Sequence, residues 1–193
     1  MALHMAVCLF VQLLSASMAQ QPQKPIVHSP VFVDGRHQPT SLDELWRDSE
    51  LVVQAVVGKS EPQEVRSSGA PPLDMTRFDV EIEIVFKGES TSVGLGKTVT
   101  VWRRGGEWDR GDHIESIEED DFPAFRRGQR YVLFLNWSVS LAGYVVSSGP
   151  DGTFRIIGKQ IHTDGRSTVA AERKNRSYND FIKELRDLEA RSR

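Results

Sequence analysis

A chain of 193 residues, 39% apolar and 26% charged, has the size and composition of a single globular domain. Its 24 Lys and Arg residues stand against 27 Asp and Glu residues, so the formal net charge is -3. This balance gives no bulk electrostatic attraction for nucleic acid or for an anionic membrane. An unidentified protein, peptide or glycan is therefore the expected kind of partner.

Residues 1–19 are predicted to be a signal peptide. Met5 to Leu14 is almost wholly apolar, and Ser17 and Ala19 occupy the small-residue positions before a cleavage site. The alternative, a membrane anchor, fits less well because a spanning helix needs about 20 apolar residues. We expect export to a periplasmic or extracellular space, a mature chain that begins at Gln20, and no membrane span after cleavage.

Cys8 is the only cysteine, and it lies inside the predicted signal. The exported chain would contain no thiol, which excludes disulfides, Cys nucleophiles and Cys metal sites. Stability is then expected from packing alone, and no cofactor is predicted.

Residues 20–40 are predicted to form an extended lead-in, because four prolines stand among polar residues there. Asp34–Gly35 has the sequence of a tight turn and predicts a short hairpin arm. A single domain is expected to cover residues 41–193.

The domain is predicted to open with a short helix that ends near Asp48. Ser41 and Glu44, three residues apart, form a capping-box pattern at its start. Three segments then follow in the prediction: a Val-rich strand at Leu51–Gly58, a Pro, Gly and Ser-rich loop at Ser60–Asp74, and an alternating strand at Thr76–Gly88.

The stretch from Arg126 to Asn136 is predicted to hold the central strand. Tyr131–Leu135 is an unbroken apolar run, which is typical of a strand buried on both faces. Before it, Val99–Trp102 is predicted to be a strand. After it we expect a hairpin of Tyr144–Val146 with Phe154–Ile157, then a terminal helix with an apolar stripe at Tyr178, Phe181, Ile182, Leu185 and Leu188.

This order predicts a mainly β protein: a small closed antiparallel barrel of the OB type, with a short N-terminal helix and a C-terminal amphipathic helix. Three stretches, Ser49–Val57, Val80–Gly88 and Arg127–Leu135, also resemble the netrin-like and tissue-inhibitor-of-metalloproteinases barrel, in a cysteine-free form as in bacterial exported proteins. The resemblance covers about residues 41–157 and implies an OB-type fold. Those inhibitors chelate the protease zinc through an N-terminal Cys, which this chain lacks, so the resemblance does not imply metalloprotease inhibition.

The first functional hypothesis is a non-enzymatic binding module, because OB-type barrels present an open face and loops to ligands. Trp102, Arg103, Arg104 and Trp108 combine aromatic rings with cations beside a Gly-Gly pair and are the candidate binding residues. The alternative for these residues is that Trp102 belongs to the core and that the arginines offset nearby acids.

Glu107–Asp121 is strongly acidic, with eight acids and one Arg, a formal charge of 1 − 8 = -7. Such a run predicts a solvated loop or lid. The alternative is a Ca²⁺ site in a structural surface protein, with Asp109, Asp112 and Glu115 as oxygen ligands.

A third hypothesis is an exported hydrolase that uses His113 or His162 with the neighbouring acids Asp112 and Asp164. No Gly-x-Ser-x-Gly or His-Glu-x-x-His motif occurs, so no catalytic residue is assigned and an enzyme is not expected. A monomer is favoured. Asn136 and Asn175 begin glycosylation sequences, which matter only in a host that glycosylates exported proteins.

Overall fold

The computed structural model describes residues 24–31, 38–66, 71–88, 93–119 and 122–192. The predicted signal peptide and the predicted turn at Asp34–Gly35 lie outside these ranges. Within them the protein is mainly β, with two sheets and three α-helices. None of the helices in the described ranges is long and apolar enough to cross a membrane.

Strands dominate the described part of the chain. They are β1 (Ile26–Val31), β2 (Leu51–Val65), β3 (Leu73–Lys87), β4 (Thr98–Arg104), β5 (Gly106–Asp109), β6 (Ile114–Glu119), β7 (Arg130–Ser138), β8 (Gly143–Val146), β9 (Thr153–Ile157) and β10 (Gln160–His162). The helices are α1 (Leu42–Arg47), α2 (Thr168–Arg173) and α3 (Tyr178–Ser192). A 3-10 turn at Gly149–Gly152 joins β8 to β9.

Five strands of the larger sheet close into a ring. The order around it is β2, β3, β4, β8 and β7, and β7 pairs with β2 again. The β4–β8 pair is parallel, whereas the other four pairs are antiparallel. β9 and β10 continue the sheet outside the ring from the first half of β7. The expectation of a wholly antiparallel closed barrel is therefore wrong, because β8 runs parallel to its neighbour β4.

The prediction that Tyr131–Leu135 is buried on both faces is confirmed. Tyr131, Leu133 and Leu135 join residues of β2, β3 and β4 in one apolar core inside the ring. Val132 and Phe134 point the other way, into a second core between the sheet and the helices. One strand thus supplies both cores, because successive strand residues face opposite sides.

The two predicted helices form where expected. The Ser41 hydroxyl accepts a hydrogen bond from the Glu44 N–H at 3.1 Å, which caps α1. Along α3, Phe181, Leu185 and Leu188 are buried against the sheet, as their spacing predicts.

The predicted loop at Ser60–Asp74 is wrong for most of its described residues, and residues 67–70 lie outside the described ranges. β2 continues to Val65 and β3 begins at Leu73, so the two strands extend as a long two-stranded arm. Nearly all side chains of the arm on β2 are exposed. The arm therefore lacks the apolar alternation by which a half-buried strand is recognised in a sequence.

Most of the described part of the acidic segment, residues 107–119, lies in strands, so the prediction of a solvated loop is wrong there; Asp120 and Asp121 lie outside the described residues. β5 and β6 pair as a hairpin, and β1, from the predicted lead-in, adds to β6 in parallel. The result is a second, three-stranded mixed sheet. Lys24 forms an ion pair with Asp109 at 2.6 Å, and the Ser29 hydroxyl donates a hydrogen bond to Glu115 at 2.9 Å. The partner strand comes from far along the chain, which the local charge pattern does not indicate.

The predicted hairpin of Tyr144–Val146 with Phe154–Ile157 is wrong as well. β8 pairs with the second half of β7, and β9 pairs with its first half. The two segments are therefore strands, but they lie beside different parts of one neighbour. β8 is short and pairs with only two residues of β4.

Candidate functional site

The end of β4 is an incompletely paired strand edge. β4 pairs with β3 up to Arg104 on one side, but β8 covers only Val101 and Trp102 on the other. The Gly105 N–H donates to the Asp74 carbonyl of the β3 side at 2.8 Å. Because backbone groups alternate in direction along a strand, the N–H and C=O of Arg104 point away from β3. These groups lie beyond the end of β8.

A cavity of about 560 Å³, called here the edge cleft, lies beside this strand end. It separates β4 from the turn that follows β8 and from the end of β6. Its lining combines two arginines, two acids and two aromatic side chains with the turn after β8, and the principal residues are Asp48, Trp102, Arg103, Arg104, Glu119, Phe122, Ser147 and Ser148. Three of the four predicted binding residues therefore share one cleft.

Trp102 packs between β4 and β8, where the ring of strands closes. It is only 7% exposed, and its indole packs directly on Gly143 of β8. A Cβ atom at Gly143 would lie 2.8 Å from the indole Nε1, so the contact needs glycine. Trp102 is thus buried, as expected under the alternative that it is a core residue.

Arg103 is buried and stacks on aromatic rings. It is 6% exposed, and its guanidinium carbon lies 4.0 Å from the centre of the Phe122 ring and 6.0 Å from that of Phe125. Such stacking contributes about 0.5–2 kcal/mol, with the larger value where the cation is desolvated. Arg103 therefore fixes the segment that follows β6 onto the ring.

Arg104 differs from its neighbour. It is half-buried and borders both the edge cleft and an adjoining cavity of about 370 Å³. Its guanidinium makes no ion pair or hydrogen bond within the part of the chain that the structure describes. A charged group with five donors beside an open strand edge is suited to a carboxylate.

Trp108 is separated from the other three candidates. It lies on β5 opposite Glu115, and the guanidinium carbon of Arg110 stands 5.1 Å from its ring centre. It borders neither cavity at the end of β4. The predicted four-residue patch is thus three residues on β4 and one on the second sheet.

The three candidate Ca²⁺ ligands face three different partners. Asp109 pairs with Lys24 at 2.6 Å, Asp112 accepts from His113 at 2.6 Å, and Glu115 pairs with Arg110 at 2.7 Å. These hydrogen bonds hold the pKa of each carboxyl below its ordinary value. Within the described ranges no three His, Cys, Asp or Glu side chains gather into a group that could hold a metal.

The two candidate catalytic histidines lie in different places. His113 is on the β5–β6 turn against Asp112, whereas His162 is on β10 and borders a separate cavity with Asp164. Neither histidine lines the edge cleft. Each histidine thus lies near the acid predicted to neighbour it, but the two histidines do not share one site.

The two glycosylation sequences differ in their surroundings. The Asn136 side chain accepts from the Glu50 N–H at 2.9 Å and borders the edge cleft. Asn175 is exposed at the end of α2, with a left-handed backbone. Asn175 is the more accessible acceptor of the two.

Two features of the site have no clear signal in the sequence. Phe122 and Phe125 form a wall of the cavities, although they follow an acidic run that suggests only solvent exposure. The open edge at Arg104 depends on where β8 ends, and a pairing between distant segments is not visible in local periodicity.

The sequence matches no protein-family model, and comparison with curated proteins finds no significant match.

Proposed function

We propose that this protein is a non-enzymatic binding module whose edge cleft takes an extended peptide segment carrying an acidic side chain. The observation that carries the proposal is Arg104. Its backbone N–H and C=O point outward beyond the end of β8, and its guanidinium has no partner within the described ranges.

A peptide suits this edge better than a glycan does. An extended peptide can add to an exposed strand through main-chain hydrogen bonds, while pockets for alternate side chains supply specificity. The edge offers the outward N–H and C=O of Arg104, and the guanidinium of the same residue offers a planar fork for a carboxylate. A nucleic acid fits poorly because the net charge of the chain is -3.

The closure of the ring supports an OB-type barrel as the fold behind this module. Counted along the chain, its five strands run first, second, third, fifth and fourth around the ring. The third and fifth strands are the parallel pair. This is the Greek-key order expected of an OB-type barrel, a fold that uses its open face and loops for binding.

Export rests on the sequence of residues 1–19. An exported binding module that lacks cysteine would depend on its two apolar cores for stability. Cell fractionation followed by mass spectrometry would test this: a chain beginning at Gln20 outside the cytoplasm supports export with cleavage, and an intact Met1 chain found only in the cytoplasm contradicts it.

The binding proposal is tested with an acidic strand-forming peptide, acetyl-VEVEVE-amide, titrated into the protein and followed by calorimetry. We expect Arg104→Gln to weaken binding by about tenfold or more, since a charge-assisted bidentate contact is lost. Arg127→Gln is the matched control, because Arg127 is exposed on a turn away from the cleft.

The lysine counterpart, acetyl-VKVKVK-amide, should not bind measurably. Equal affinity of the unchanged protein and Arg104→Gln for the acidic peptide would contradict the proposal, as would no binding at all. Circular dichroism of each variant establishes that the fold is retained.

A further inference from the structure

Three side chains of different chemistry form a row that starts on β7 of the ring and continues across β9 and β10. Tyr131 pairs with Arg155, and Arg155 pairs with His162 on its other side. Directly paired residues of neighbouring strands lie on the same face of a sheet. A phenol, a guanidinium and an imidazole therefore stand side by side.

The segment Phe122–Arg126 covers this row. The Arg126 N–H donates to the Tyr131 hydroxyl at 3.1 Å, and the ring centres of Phe125 and Tyr131 are 5.2 Å apart. A cavity of about 260 Å³ remains between the segment and the row. Aromatic rings form one part of its wall and cationic side chains another, and the residues used below are Phe122, Phe125, Tyr131, Arg155 and His162.

Arg155 brings an unsatisfied charge into this cavity. Its Nε atom is buried without a hydrogen-bond partner, and its guanidinium makes no ion pair within the described part of the chain. Asp164 also borders the cavity but does not pair with Arg155. Because the guanidinium carries a charge and several N–H donors, an anion in the cavity would supply the acceptor that it lacks.

The local charge is opposite in sign to that of the whole chain. Arg126 and Arg155 contribute two positive charges and Asp164 one negative charge, so 2 − 1 gives +1 with His162 neutral. The chain as a whole has a net charge of -3. The cavity is therefore a local attraction for an anion on an otherwise acidic protein.

We propose that this cavity, the Arg155 pocket, binds a small carboxylate with an apolar body. The carboxylate lies on the guanidinium of Arg155, whose planar fork matches its two oxygens. The apolar body lies against Phe122, Phe125 and Tyr131. The volume is below the range of about 300–1,000 Å³ that is usual for drug-sized ligands, which limits the occupant to a small acid.

A free phosphate is a poorer match than such a carboxylate. It has no apolar part to pack against the aromatic side chains that border the cavity. The pocket shares only Phe122 with the edge cleft, and its proposal does not depend on the peptide proposal.

The test is calorimetric titration of the full chain with benzoate, with its uncharged counterpart benzamide, and with inorganic phosphate. We expect benzoate to bind with a Kd below about 10 mM, and benzamide and phosphate to bind at least about tenfold more weakly. Arg155→Gln should weaken benzoate binding by about tenfold or more, and Arg155→Lys by less. Arg127→Gln should leave it unchanged.

Should Arg155→Gln fail to fold, the Arg155 Nε–H resonance of the unchanged protein supplies the test, since a carboxylate acceptor shifts it. A benzoate titration that moves this resonance supports the pocket. An unmoved resonance, equal binding of benzoate and benzamide, or equal binding to a folded Arg155→Gln variant would each overturn the proposal.

Discussion

The guanidinium of Arg103 lies over the ring of Phe122, with 4.0 Å between the guanidinium carbon and the ring centre. Arg103 belongs to β4 of the ring, and Phe122 follows the last strand of the second sheet. Phe122 borders both the edge cleft and the Arg155 pocket. One stacked pair therefore joins the two sheets and shapes both proposed binding sites.

Shortening this aromatic side chain should cost stability. Phe122→Leu removes the stack on Arg103 and the edge contact with Phe125, whose ring centre lies 6.0 Å away. We expect the free energy of unfolding to fall by about 1–3 kcal/mol. Urea denaturation measures this, with Leu95→Ala, at a side chain 77% exposed, as the control. An effect as small as that of the control would show that the stack contributes nothing.

The corner between the ring and the second sheet should accept only glycine. Gly105 has φ +81°, and a Cβ atom there would collide with the carbonyl oxygen of Ile117. Gly111 also has a positive φ, but nothing lies within 4 Å of its Cβ position. Gly111→Ala should therefore cost about 1–2 kcal/mol, the backbone strain alone, and Gly105→Ala clearly more. If urea denaturation gives similar losses of unfolding free energy for Gly105→Ala and Gly111→Ala, the collision with the Ile117 carbonyl does not add to the cost.

Lys87 should be needed to finish α1. Its Nζ donates to the carbonyl oxygens of Trp46 and Ser49, each at 2.5 Å, and so satisfies backbone groups at the helix end. We expect Lys87→Met to lower the free energy of unfolding by about 1–3 kcal/mol, because these acceptors lose a charged donor. Lys97→Met, at an exposed lysine, is the matched control. No difference between the two variants would contradict the capping role.

Acid should loosen the second sheet. Hydrogen bonds from Lys24 and from the Gly111 N–H lower the pKa of Asp109 in the folded state. A carboxyl whose folded pKa lies below its unfolded value stabilises the fold above the unfolded value, near pH 4, and this contribution is lost as the pH falls through the folded pKa. The protection factors of the amides in Ile26–Val31, which are corrected for the intrinsic pH dependence of exchange, should therefore fall below about pH 4.

In Lys24→Gln the acid-dependent fall in these protection factors should shrink, because the main cause of the lowered Asp109 pKa is removed. Exchange of the α3 amides serves as the internal reference. The same pH dependence of β1 exchange in the variant and the unchanged protein would show that this ion pair does not hold β1.

The sequence predicted those parts of the fold whose pattern is local. Tyr131–Leu135 was predictable because five adjacent apolar residues need two buried faces, and α3 because its apolar residues recur at helical spacing. The second sheet was not predictable, because Ile26–Val31 finds its partner at Ile114–Glu119, far along the chain. Its acidic side chains suggested a loop, whereas Asp109 and Glu115 are paired with Lys24 and Arg110.

The candidate site divides in the same way. Trp102, Arg103 and Arg104 were found from residue type, and the structure places them along one cleft. Their different roles were not predictable, because burial and stacking fix Arg103 while the short β8 leaves Arg104 open. Arg155 carried no sequence signal, since only strand pairing sets it between Tyr131 and His162.

Hydrogen exchange at the Arg104 amide, measured by NMR with and without acetyl-VEVEVE-amide, tests most directly that the end of β4 is a peptide-binding edge. The Arg104 N–H points away from β3, whereas the neighbouring Arg103 N–H points towards it and serves as the internal control. We expect the bound peptide to slow exchange at Arg104 by about tenfold or more and to leave Arg103 unchanged. Unchanged exchange at Arg104 in the presence of saturating peptide would contradict the account.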